Sequence, residues 1–347
     1  GLQATIDQLS DKVGIIGGSG YAGEELIKFA SQHPFIDLLA VSSRELLNKS
    51  ISHNYPHIKN IPDLYFVSPE DKSFFDCETL FFATPHGFSM DVVKKYLNIG
   101  IKVVDLSADF RLKDVKVWED WYETQHSSPE LIEESVYGLT ELFPTQISSS
   151  RLIAVPGCYP TASILGSLPI VSESFGIQSI IIDAKSGMSG AGRAKVESSM
   201  ANEMIEDFKA YGVKGHRHLP EIEQILKDVS KKDFDINFVP HLIPAMRGIY
   251  ATIYIQFDNL PVSVDLQELY LDYYKDSVNV SILDSSNVPS IKNVAYTNEC
   301  HILVSQTNIP NQVMVISAID NLIKGASGQA MECFNLMEGF ETRTGLD

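Results

Sequence analysis

One stretch decides the fold of the first half of the chain: Val13-Gly14-Ile15-Ile16-Gly17-Gly18-Ser19-Gly20-Tyr21-Ala22-Gly23. Its first four residues form an apolar run typical of a buried strand, and Leu26, Ile27 and Phe29 then follow with helical spacing. Glycine allows the tight turn between them and lets the backbone approach a pyrophosphate at the helix N-terminus. A glycine pattern in this strand–turn–helix context predicts a dinucleotide-binding, Rossmann-like domain.

Beyond the turn, short apolar runs continue to alternate with helical patterns. Further strands are expected at Leu38–Val41, Thr79–Ala83, Lys102–Leu106 and Leu152–Val155. This alternation implies right-handed crossovers and a parallel sheet, so the first domain is of the α/β class. After Gly157 the runs become β-rich, and Gly248–Phe257 alternates between apolar and polar residues, which predicts an α+β second domain with a more antiparallel sheet.

These patterns divide the chain into three parts. Residues 1–156 form the dinucleotide-binding domain, residues 157–319 form the α+β domain, and residues 320–347 form a C-terminal helix. We expect this helix to pack back on the first domain.

The residues after the second strand indicate which dinucleotide binds. An NAD site usually places Asp or Glu about 20 residues after the glycines, where the carboxylate holds the ribose 2′-hydroxyl. This chain has Ser42-Ser43-Arg44 there, followed directly by Glu45. Hydroxyl groups and a guanidinium suit a 2′-phosphate, so Ser43 and Arg44 favour NADP.

The composition excludes several classes of partner. The 347 residues carry 27 basic and 45 acidic side chains, a formal net charge of −18, which repels nucleic acid and anionic membranes. An anionic substrate must therefore be bound by a few arginines or by backbone N–H groups. No apolar run approaches the roughly 20 residues that span a bilayer, and Gly1–Lys12 lacks the layout of a signal peptide. We expect a cytoplasmic protein with a small-molecule substrate.

The four cysteines lie far apart with no CxxC pair, which argues against structural zinc and disulfides and fits a reducing compartment. Cys158 alone has a suggestive context: Pro156-Gly157-Cys158-Tyr159-Pro160-Thr161 lies between an apolar strand and an apolar helical stretch. At a helix N-terminus the dipole and free N–H groups favour the nucleophilic thiolate. We predict that Cys158 is a catalytic nucleophile and that Cys77, Cys300 and Cys333 are inert.

A second cluster of chemical groups lies downstream at Gly215-His216-Arg217-His218-Leu219-Pro220-Glu221-Ile222-Glu223. His216 and His218 are separated by one residue, so one ring can face a cleft while the other supports it. Glu221 or Glu223 can orient a ring nitrogen. The sequence does not say which histidine is the acid–base group. It offers no third ligand at zinc-like spacing, so the pair does not predict a metal site.

Two polar loops at strand ends offer groups for an anion. The loop Asp183-Ala184-Lys185-Ser186-Gly187-Met188-Ser189-Gly190-Ala191-Gly192-Arg193 combines backbone N–H groups with a guanidinium. Ser186 and Arg193 are substrate candidates, and Ser189 and Gly190 are cofactor candidates. Arg111 lies beyond the strand at 102–106, where open α/β sheets bind ligands, so it is a third substrate candidate; a purely structural arginine is the alternative.

Together these motifs resemble the N-acetyl-γ-glutamyl-phosphate reductase family, within the aspartate-semialdehyde dehydrogenase superfamily. The resemblance also rests on Thr84-Pro85-His86-Gly87, Asp105–Arg111, Val136–Glu141 and Asp320–Ala330, and it runs from about Val13 to the C-terminus. Its most specific parts are the cysteine turn and the His-Arg-His-x-Pro-Glu motif.

The resemblance implies NADPH-dependent reductive dephosphorylation of N-acetyl-L-glutamyl 5-phosphate to the 5-semialdehyde, a step of arginine biosynthesis. It also implies that Asn321 approaches the nicotinamide and that the second domain forms a homodimer or homotetramer. The residues on their own support such a route. Cys158 attacks the acyl carbonyl, phosphate leaves, and the thioester accepts hydride while a protonated histidine assists collapse to the aldehyde. Backbone N–H groups near Cys158 are expected to stabilise the oxyanion.

Three alternatives remain open at this point. The same chemistry can act on another acyl phosphate, such as aspartyl phosphate or N-acetyl-aminoadipyl phosphate, which a substrate panel would separate. A non-catalytic NADP-binding sensor would not depend on Cys158. A thiol hydrolase would need no nicotinamide, which leaves the glycine turn unexplained.

Overall fold

A computed structural model describes residues 10–200 and 206–347 of the chain. The chain divides into two units: unit 1 comprises Gly1–Pro156 with Ala326–Asp347, and unit 2 comprises Gly157–Gly325. The sequence-based boundary after residue 156 falls at the same place, whereas the second boundary falls after residue 325 instead of 319. The reason is that Asp320 and Asn321 hydrogen-bond to residues of unit 2.

Unit 1 contains a parallel sheet. Its strands are β1 (Asp11–Ile16), β2 (Ile36–Val41), β3 (Thr79–Phe82), β4 (Lys102–Asp105), β5 (Val136–Tyr137) and β6 (Leu152–Ala154). They are ordered β2-β1-β3-β4-β6-β5, and every neighbouring pair is parallel. The expected parallel α/β sheet is confirmed. Strand β5 was not expected, because two residues are too few to show a period.

The helices vary widely in length. The α-helices of the described residues are α1 (Tyr21–Gln32), α2 (Ile51–Asn54), α3 (Ser89–Leu97), α4 (Val115–Tyr122), α5 (Pro144–Ser148), α6 (Cys158–Val171), α7 (Arg193–Lys195), α8 (His218–Ser230), α9 (Leu266–Tyr273), α10 (Ile291–Val294) and α11 (Gly328–Glu338). Short 3₁₀ segments lie at Lys72–Asp76, Pro129–Leu131 and Met188–Ala191, and π-helical turns lie at Val196–Met200 and Ile323–Ser327. No helix of the described residues is long and apolar enough to cross a bilayer.

The C-terminal helix α11 belongs to unit 1 and packs into its core. Gln329 donates its side-chain amide to the Gly138 carbonyl at 2.6 Å, and Asn335 bonds the ring of His33 at 2.7 Å. The ring of Phe334 lies 5.8 Å from that of Phe81 in β3. The expected return of the last helix to the first domain is confirmed.

Unit 2 contains a mixed sheet. Its strands are β7 (Ile177–Ser186), β8 (Lys209–Ala210), β9 (Asp235–Leu242), β10 (Ile249–Phe257), β11 (Val280–Ile282), β12 (Cys300–Gln306) and β13 (Gln312–Ile319). The order is β11-β12-β13-β10-β7-β9-β8. The pairs β7–β9 and β11–β12 are parallel and the others are antiparallel. The predicted α+β architecture is confirmed.

Helix α6 is the apolar centre of unit 2, and all its residues after Cys158 are buried. Pro169 lies inside it and has no N–H to donate to Leu165, four residues earlier. The hydroxyl of Tyr274 donates to the Leu165 carbonyl instead. An added Cβ at Gly166 would meet Ile253 of β10 at 2.8 Å, so this glycine lets the helix lie close to the sheet. The sheet therefore fixes the position of the middle of α6.

Two helices differ from the sequence-based expectation. The pattern at 194–208 predicts one helix, whereas the structure has α7 followed by the π-helical Val196–Met200; residues 201–205 lie outside the described part. The last helix was expected from about 321, but α11 begins at Gly328 after the π-helical turn at Ile323–Ser327.

Candidate active site

The glycine turn of unit 1 is as tight as its sequence suggests. Gly17 has φ +96°, and a Cβ there would lie 2.3 Å from the Ala83 carbonyl oxygen. A Cβ would also lie 2.3 Å from Val41 at Gly18 and 2.2 Å from the Gly17 oxygen at Gly23. These three positions exclude any side chain.

Gly20 differs from the other glycines of the turn. Nothing lies within 4 Å of a Cβ built on it, it is exposed, and it directly precedes α1. The neighbouring Ser19, Tyr21 and Ala22 are half-buried. Open space beside an exposed backbone at a helix N-terminus is what a pyrophosphate requires, so the turn fits a dinucleotide.

The polar residues after β2 have different tasks. The Ser42 hydroxyl accepts the Gly17 N–H at 3.0 Å and so supports the glycine turn. The buried Ser43 uses its hydroxyl oxygen to accept the Leu46 N–H. The Arg44 side chain is 71% exposed, 3.6 Å from Glu70. Of the three, Arg44 has the most freedom to meet a 2′-phosphate.

Arg111 is buried at the carboxyl ends of the parallel strands. Its Nε donates to the Val155 carbonyl at 2.7 Å and its Nη2 to the Leu106 carbonyl at 2.8 Å. Asp109, two residues earlier, accepts the N–H groups of Gly87 and Met90. The guanidinium thus has a fixed orientation, which suits recognition of an anion by one face.

Cys158 is the first residue of α6, following Gly157 in an extended conformation. It is half-buried, whereas the other three cysteines are buried. For Cys77, burial raises the thiol pKa from 9.0 to about 12. Cys158 therefore combines access to solvent with the helix position that favours a thiolate.

Glu221 ties α8 to the start of α6. Its carboxylate is 1% exposed, and Oε2 accepts the Gly157 N–H at 2.9 Å. Thr161 closes the same turn by donating its hydroxyl to the Gly157 carbonyl at 2.8 Å. The expectation that Glu221 orients an imidazole stays a prediction; the structure shows that its carboxylate fixes the residue before Cys158.

The two histidines lie together beside the cysteine turn. Their ring centroids are 4.7 Å apart, and His216 Nδ1 accepts the His218 N–H at 3.0 Å. The ring of Tyr159, the residue after Cys158, lies 5.7 Å from His216 and 5.8 Å from His218. Burial, and then the charge of Arg217, lowers the pKa of His216 to about 4. His216 is consequently neutral at physiological pH.

Sequence reasoning missed two tyrosines at this site. Tyr211 donates its hydroxyl to that of Tyr159 at 2.9 Å, and Tyr159 donates to the His241 carbonyl at 3.2 Å. Burial raises the pKa of both phenols, that of Tyr211 to about 12, so both remain protonated. Tyr159 stands inside the quoted cysteine motif, but Tyr211 has no local signal, since only the pairing of β8 with β9 brings it here.

The loop after β7 brings the remaining candidates together. Asn321 donates to the Ser189 hydroxyl at 2.9 Å and accepts the Gly248 N–H at 2.7 Å. A Cβ on Gly190 would lie 3.0 Å from the Ser186 hydroxyl and 3.7 Å from the Asn321 amide nitrogen. Arg193 begins α7 and lies 3.8 Å from Glu197. Three of the cofactor candidates, Ser189, Gly190 and Asn321, thus lie near one another, and Asn321 is hydrogen-bonded to Ser189.

The candidate residues divide between the two units. Unit 1 holds Gly17, Gly18, Ser19, Gly20, Tyr21, Ala22, Gly23, Ser43, Arg44 and Arg111. Unit 2 holds Cys158, Ser186, Ser189, Gly190, Arg193, His216, His218, Glu221 and Asn321. Within residues 10–200 and 206–347, no three His, Cys, Asp or Glu side chains are arranged to hold a metal ion.

Comparison with known proteins assigns the chain to a family. The model of the semialdehyde dehydrogenase NAD binding domain matches residues 12–150, and that of the semialdehyde dehydrogenase dimerisation domain matches residues 158–321. The N-acetyl-gamma-glutamyl-phosphate reductase of Ruthia magnifica is 43% identical over 337 residues, covering 97% of this chain and 98% of the relative. That of Nitrosococcus oceani is 45% identical, covering 96% and 97%.

The chain belongs to the N-acetyl-γ-glutamyl-phosphate reductase family. The resemblance drawn from the sequence motifs is confirmed. The second family model begins at Cys158 and ends at Asn321, so it spans the whole unit 2 group of candidates.

Solved structures agree on the fold of this reductase family member. Aspartate semialdehyde dehydrogenase II from Vibrio cholerae has a TM-score of 0.75 at 15% identity, covering 94% of this chain and 98% of that one. Aspartate semialdehyde dehydrogenase with NADP from Candida albicans has a TM-score of 0.70 at 14% identity, covering 95% and 98%.

Proposed function

We propose that this chain reduces N-acetyl-L-glutamyl 5-phosphate to N-acetyl-L-glutamate 5-semialdehyde and phosphate with NADPH, in arginine biosynthesis, through a thioester on Cys158. The observation that carries the proposal is the setting of Cys158. It is the least buried of the four cysteines, it begins a helix, and the residue after it contacts two imidazoles. The names of the full-length relatives supply the substrate.

The first step belongs to the cysteine. The positive end of α6 stabilises the Cys158 thiolate, which attacks the acyl carbonyl. Phosphate leaves with the electrons of the acyl–oxygen bond, and the acyl group remains on sulfur. First-turn N–H groups of a helix have no intrahelical acceptor, so those of α6 can hold the developing oxyanion.

The two histidines are assigned different roles in proton transfer. His216 is neutral and accepts the His218 N–H, so it orients the first turn of α8. His218 then exchanges the proton with sulfur and with the carbonyl oxygen as the aldehyde forms. Collapse of the reduced adduct releases the aldehyde and returns Cys158 as a thiolate.

Residues of both units are assigned to NADPH. The turn at Gly17–Gly23 holds the pyrophosphate, and Ser43 with Arg44 holds the 2′-phosphate. Ser189, Gly190 and Asn321 of unit 2 are assigned to the nicotinamide end. The dinucleotide, when bound, supplies the hydride that reduces the thioester carbonyl.

Arg111, Ser186 and Arg193 are assigned to the substrate. The guanidinium groups suit the anionic ends of the substrate. Because the net charge of −18 repels an anion, local cations have to attract it. Aspartyl phosphate or N-acetyl-aminoadipyl phosphate would use the same chemistry. A panel of the three acyl phosphates at fixed NADPH separates them, and a kcat/KM highest for a substrate other than N-acetylglutamyl phosphate would replace the proposed one.

The chain is assigned to the cytoplasm as a homodimer or homotetramer that associates through unit 2. One face of the sheet packs on α6, while Tyr250, Thr252 and Tyr254 on the other face of β10 are only half-buried and Ile181 of β7 is 43% exposed. A half-exposed face with aromatic and aliphatic side chains suits a second copy of the chain. The free cysteines suit a reducing compartment.

Replacing the nucleophile tests the proposal. Cys158→Ser keeps the shape of the turn but removes the thiol, so kcat should fall by several orders of magnitude while NADPH binding persists. Cys300→Ser is the matched control, because Cys300 is buried in β12; it should retain turnover. Mass spectrometry of the wild type with acyl phosphate alone should show the acyl group on the Cys158 peptide. Near-normal turnover in Cys158→Ser would refute the covalent route.

A further inference from the structure

Gly325, the last residue of unit 2, lies directly against the nucleophile. A Cβ built on Gly325 would lie 3.0 Å from the Cβ and 3.3 Å from the Cα of Cys158, and 3.2 Å from Ile319 Cδ1. Relaxed carbon–carbon contacts are about 3.5–4.0 Å. The backbone of Gly325 therefore lies beside Cys158, and a side chain at 325 would need its neighbours to move by a few tenths of an ångström.

A buried carboxylate fixes Gly325 in that place. The Gly325 N–H donates to the Asp320 carbonyl at 3.0 Å, which closes the π-helical turn. The fully buried Asp320 carboxylate accepts the next N–H groups of its own chain at Leu322 and Ile323. Gly325 thus lies in a turn whose start is hydrogen-bonded internally.

The same carboxylate anchors the turn to the rest of unit 2. Its Oδ2 accepts the Tyr296 N–H at 2.7 Å and lies 3.2 Å from the Arg247 guanidinium. The guanidinium lies over the Tyr296 ring, 4.2 Å from its centroid. Because Asp320 is held by these two partners, the turn cannot move away from Cys158 without breaking an ion pair and a hydrogen bond.

The opposite side of Cys158 is also held. Gly157 donates its N–H to the buried Glu221 of α8 and accepts hydrogen bonds from Thr161 of α6 through its carbonyl. A group that pressed on Cys158 from the Gly325 side would therefore displace its side chain or strain this start of α6.

We propose that Gly325 is a positioning residue for Cys158, in that the missing side chain at 325 sets where the sulfur lies at the start of α6. The proposal rests on Cys158 being the nucleophile. A methyl group at 325 shifts Cys158 by a few tenths of an ångström. Since a misplacement of about 1 Å lowers enzymatic rates by about 10²-fold, a loss of about tenfold in kcat follows.

The test compares Gly325→Ala with Gly166→Ala. An added Cβ at Gly166 would crowd Ile253 at 2.8 Å, in the same helix as Cys158 but two turns further along. In Gly325→Ala, kcat should fall about tenfold, and alkylation of Cys158 by iodoacetamide should slow and change its pH dependence. In Gly166→Ala, Tm should fall while the alkylation rate and its pH dependence stay as in the wild type.

A rescue variant keeps the test decisive if Gly325→Ala folds poorly. Ile319→Val removes Cδ1, the atom on the far side of the added methyl group. Gly325→Ala with Ile319→Val should therefore recover at least about threefold in kcat over Gly325→Ala alone.

Two results would overturn the positioning role. The first is a Gly325→Ala variant whose kcat and Cys158 alkylation rate equal those of the wild type. The second is a Gly166→Ala variant whose alkylation rate changes as much as that of Gly325→Ala. Neither depends on the substrate assignment, because iodoacetamide reads the thiol directly. Loss of the covalent route would appear separately, as turnover that survives Cys158→Ser.

Discussion

The surroundings of His216 hold it in its neutral form. Burial and the charge of Arg217 lower its pKa to about 4, and its Nδ1 accepts the His218 N–H at 3.0 Å. The ring proton therefore lies on Nε2 between pH 5 and pH 9. A group that does not titrate there does not set the pH dependence of the reaction over this range.

Asparagine variants separate the two histidines. His218→Asn should lower kcat by about 10²-fold or more and move the pH at which Cys158 is alkylated, as expected for loss of an acid–base group. His216→Asn retains an acceptor for the His218 N–H, so it should lower kcat by about tenfold and leave the pH profile unchanged. The rates of both reactions are measured from pH 5.5 to pH 9. A shifted profile in His216→Asn would exchange the two roles.

The choice of cofactor is also argued at single residues. Arg44 is the exposed cation beside the glycine turn, and Glu70 lies 3.6 Å from it. Arg44→Ala should raise the Kd for NADPH by roughly tenfold, the loss of one charge-assisted contact, with a smaller effect on NADH. Fluorescence titration with both dinucleotides measures this, and Lys49→Ala serves as a control at a neighbouring cation. An unchanged NADPH affinity in Arg44→Ala would show that another group holds the 2′-phosphate.

At the scale of elements, the start of α6 depends on α8. The carboxylate of Glu221, three residues into α8, accepts the Gly157 N–H at 2.9 Å. Glu221→Gln keeps an acceptor oxygen but loses the charge, so kcat should fall about tenfold and Tm by a few degrees. Glu223→Gln, on the same helix and paired with Lys227, is the control and should keep kcat. Equal losses of kcat in both variants would mean that the charge of α8 matters generally, not its bond to Gly157.

The sequence predicted elements whose signal is local. The run Val13–Ile16 and the glycines after it are sufficient for β1 and α1, and the helical pattern of Ser89–Leu97 coincides with α3. Strands Val136–Tyr137 and Lys209–Ala210 could not be predicted, because two residues show no period and pairing alone makes them strands.

The candidate site was predictable to the same extent. The Cys158 turn and the His216–His218 pair could be recognised because the residues that indicate their chemistry are neighbours in the sequence. The contact between Gly325 and Cys158 joins residues 167 positions apart, and Tyr211 reaches Tyr159 from an edge strand. Only the folded sheet of unit 2 brings these together, so no pattern along the chain could reveal them.

For the molecule as a whole, one acidic cluster makes stability depend on pH. Asp11 of β1 lies beside Glu338 of α11, with Glu78 and Lys102 also facing it. Burial, then repulsion by Glu338 and Glu78, raises the pKa of Asp11 from 3.8 to about 7. The folded state therefore keeps a proton that the unfolded chain releases near pH 4, so the free energy of unfolding falls as pH rises from about 4 to 7.

Asp11→Asn removes this dependence. At pH 8 the variant lacks the crowded charge, so its Tm should exceed that of the wild type by about 2 °C. At pH 5 the folded carboxyl is still protonated and only part of this destabilisation is present, so the Tm difference should be smaller there. Asp37→Asn, an exposed carboxylate in the adjacent strand β2, is the control. A Tm difference that is the same at pH 5 and pH 8 would contradict this assignment.

The contact of Gly325 with Cys158 also means that unit 2 begins and ends at the same spot. It is an insertion whose two ends meet, placed between Pro156 and the last helix of unit 1. On the ribosome, the nascent chain delivers every residue of unit 2 before it delivers α11. Most of the dinucleotide-binding unit is translated first, yet it is the last unit to be completed. The contacts of Phe81 and Gly138 with Phe334 and Gln329 can form only after α11 has been synthesised.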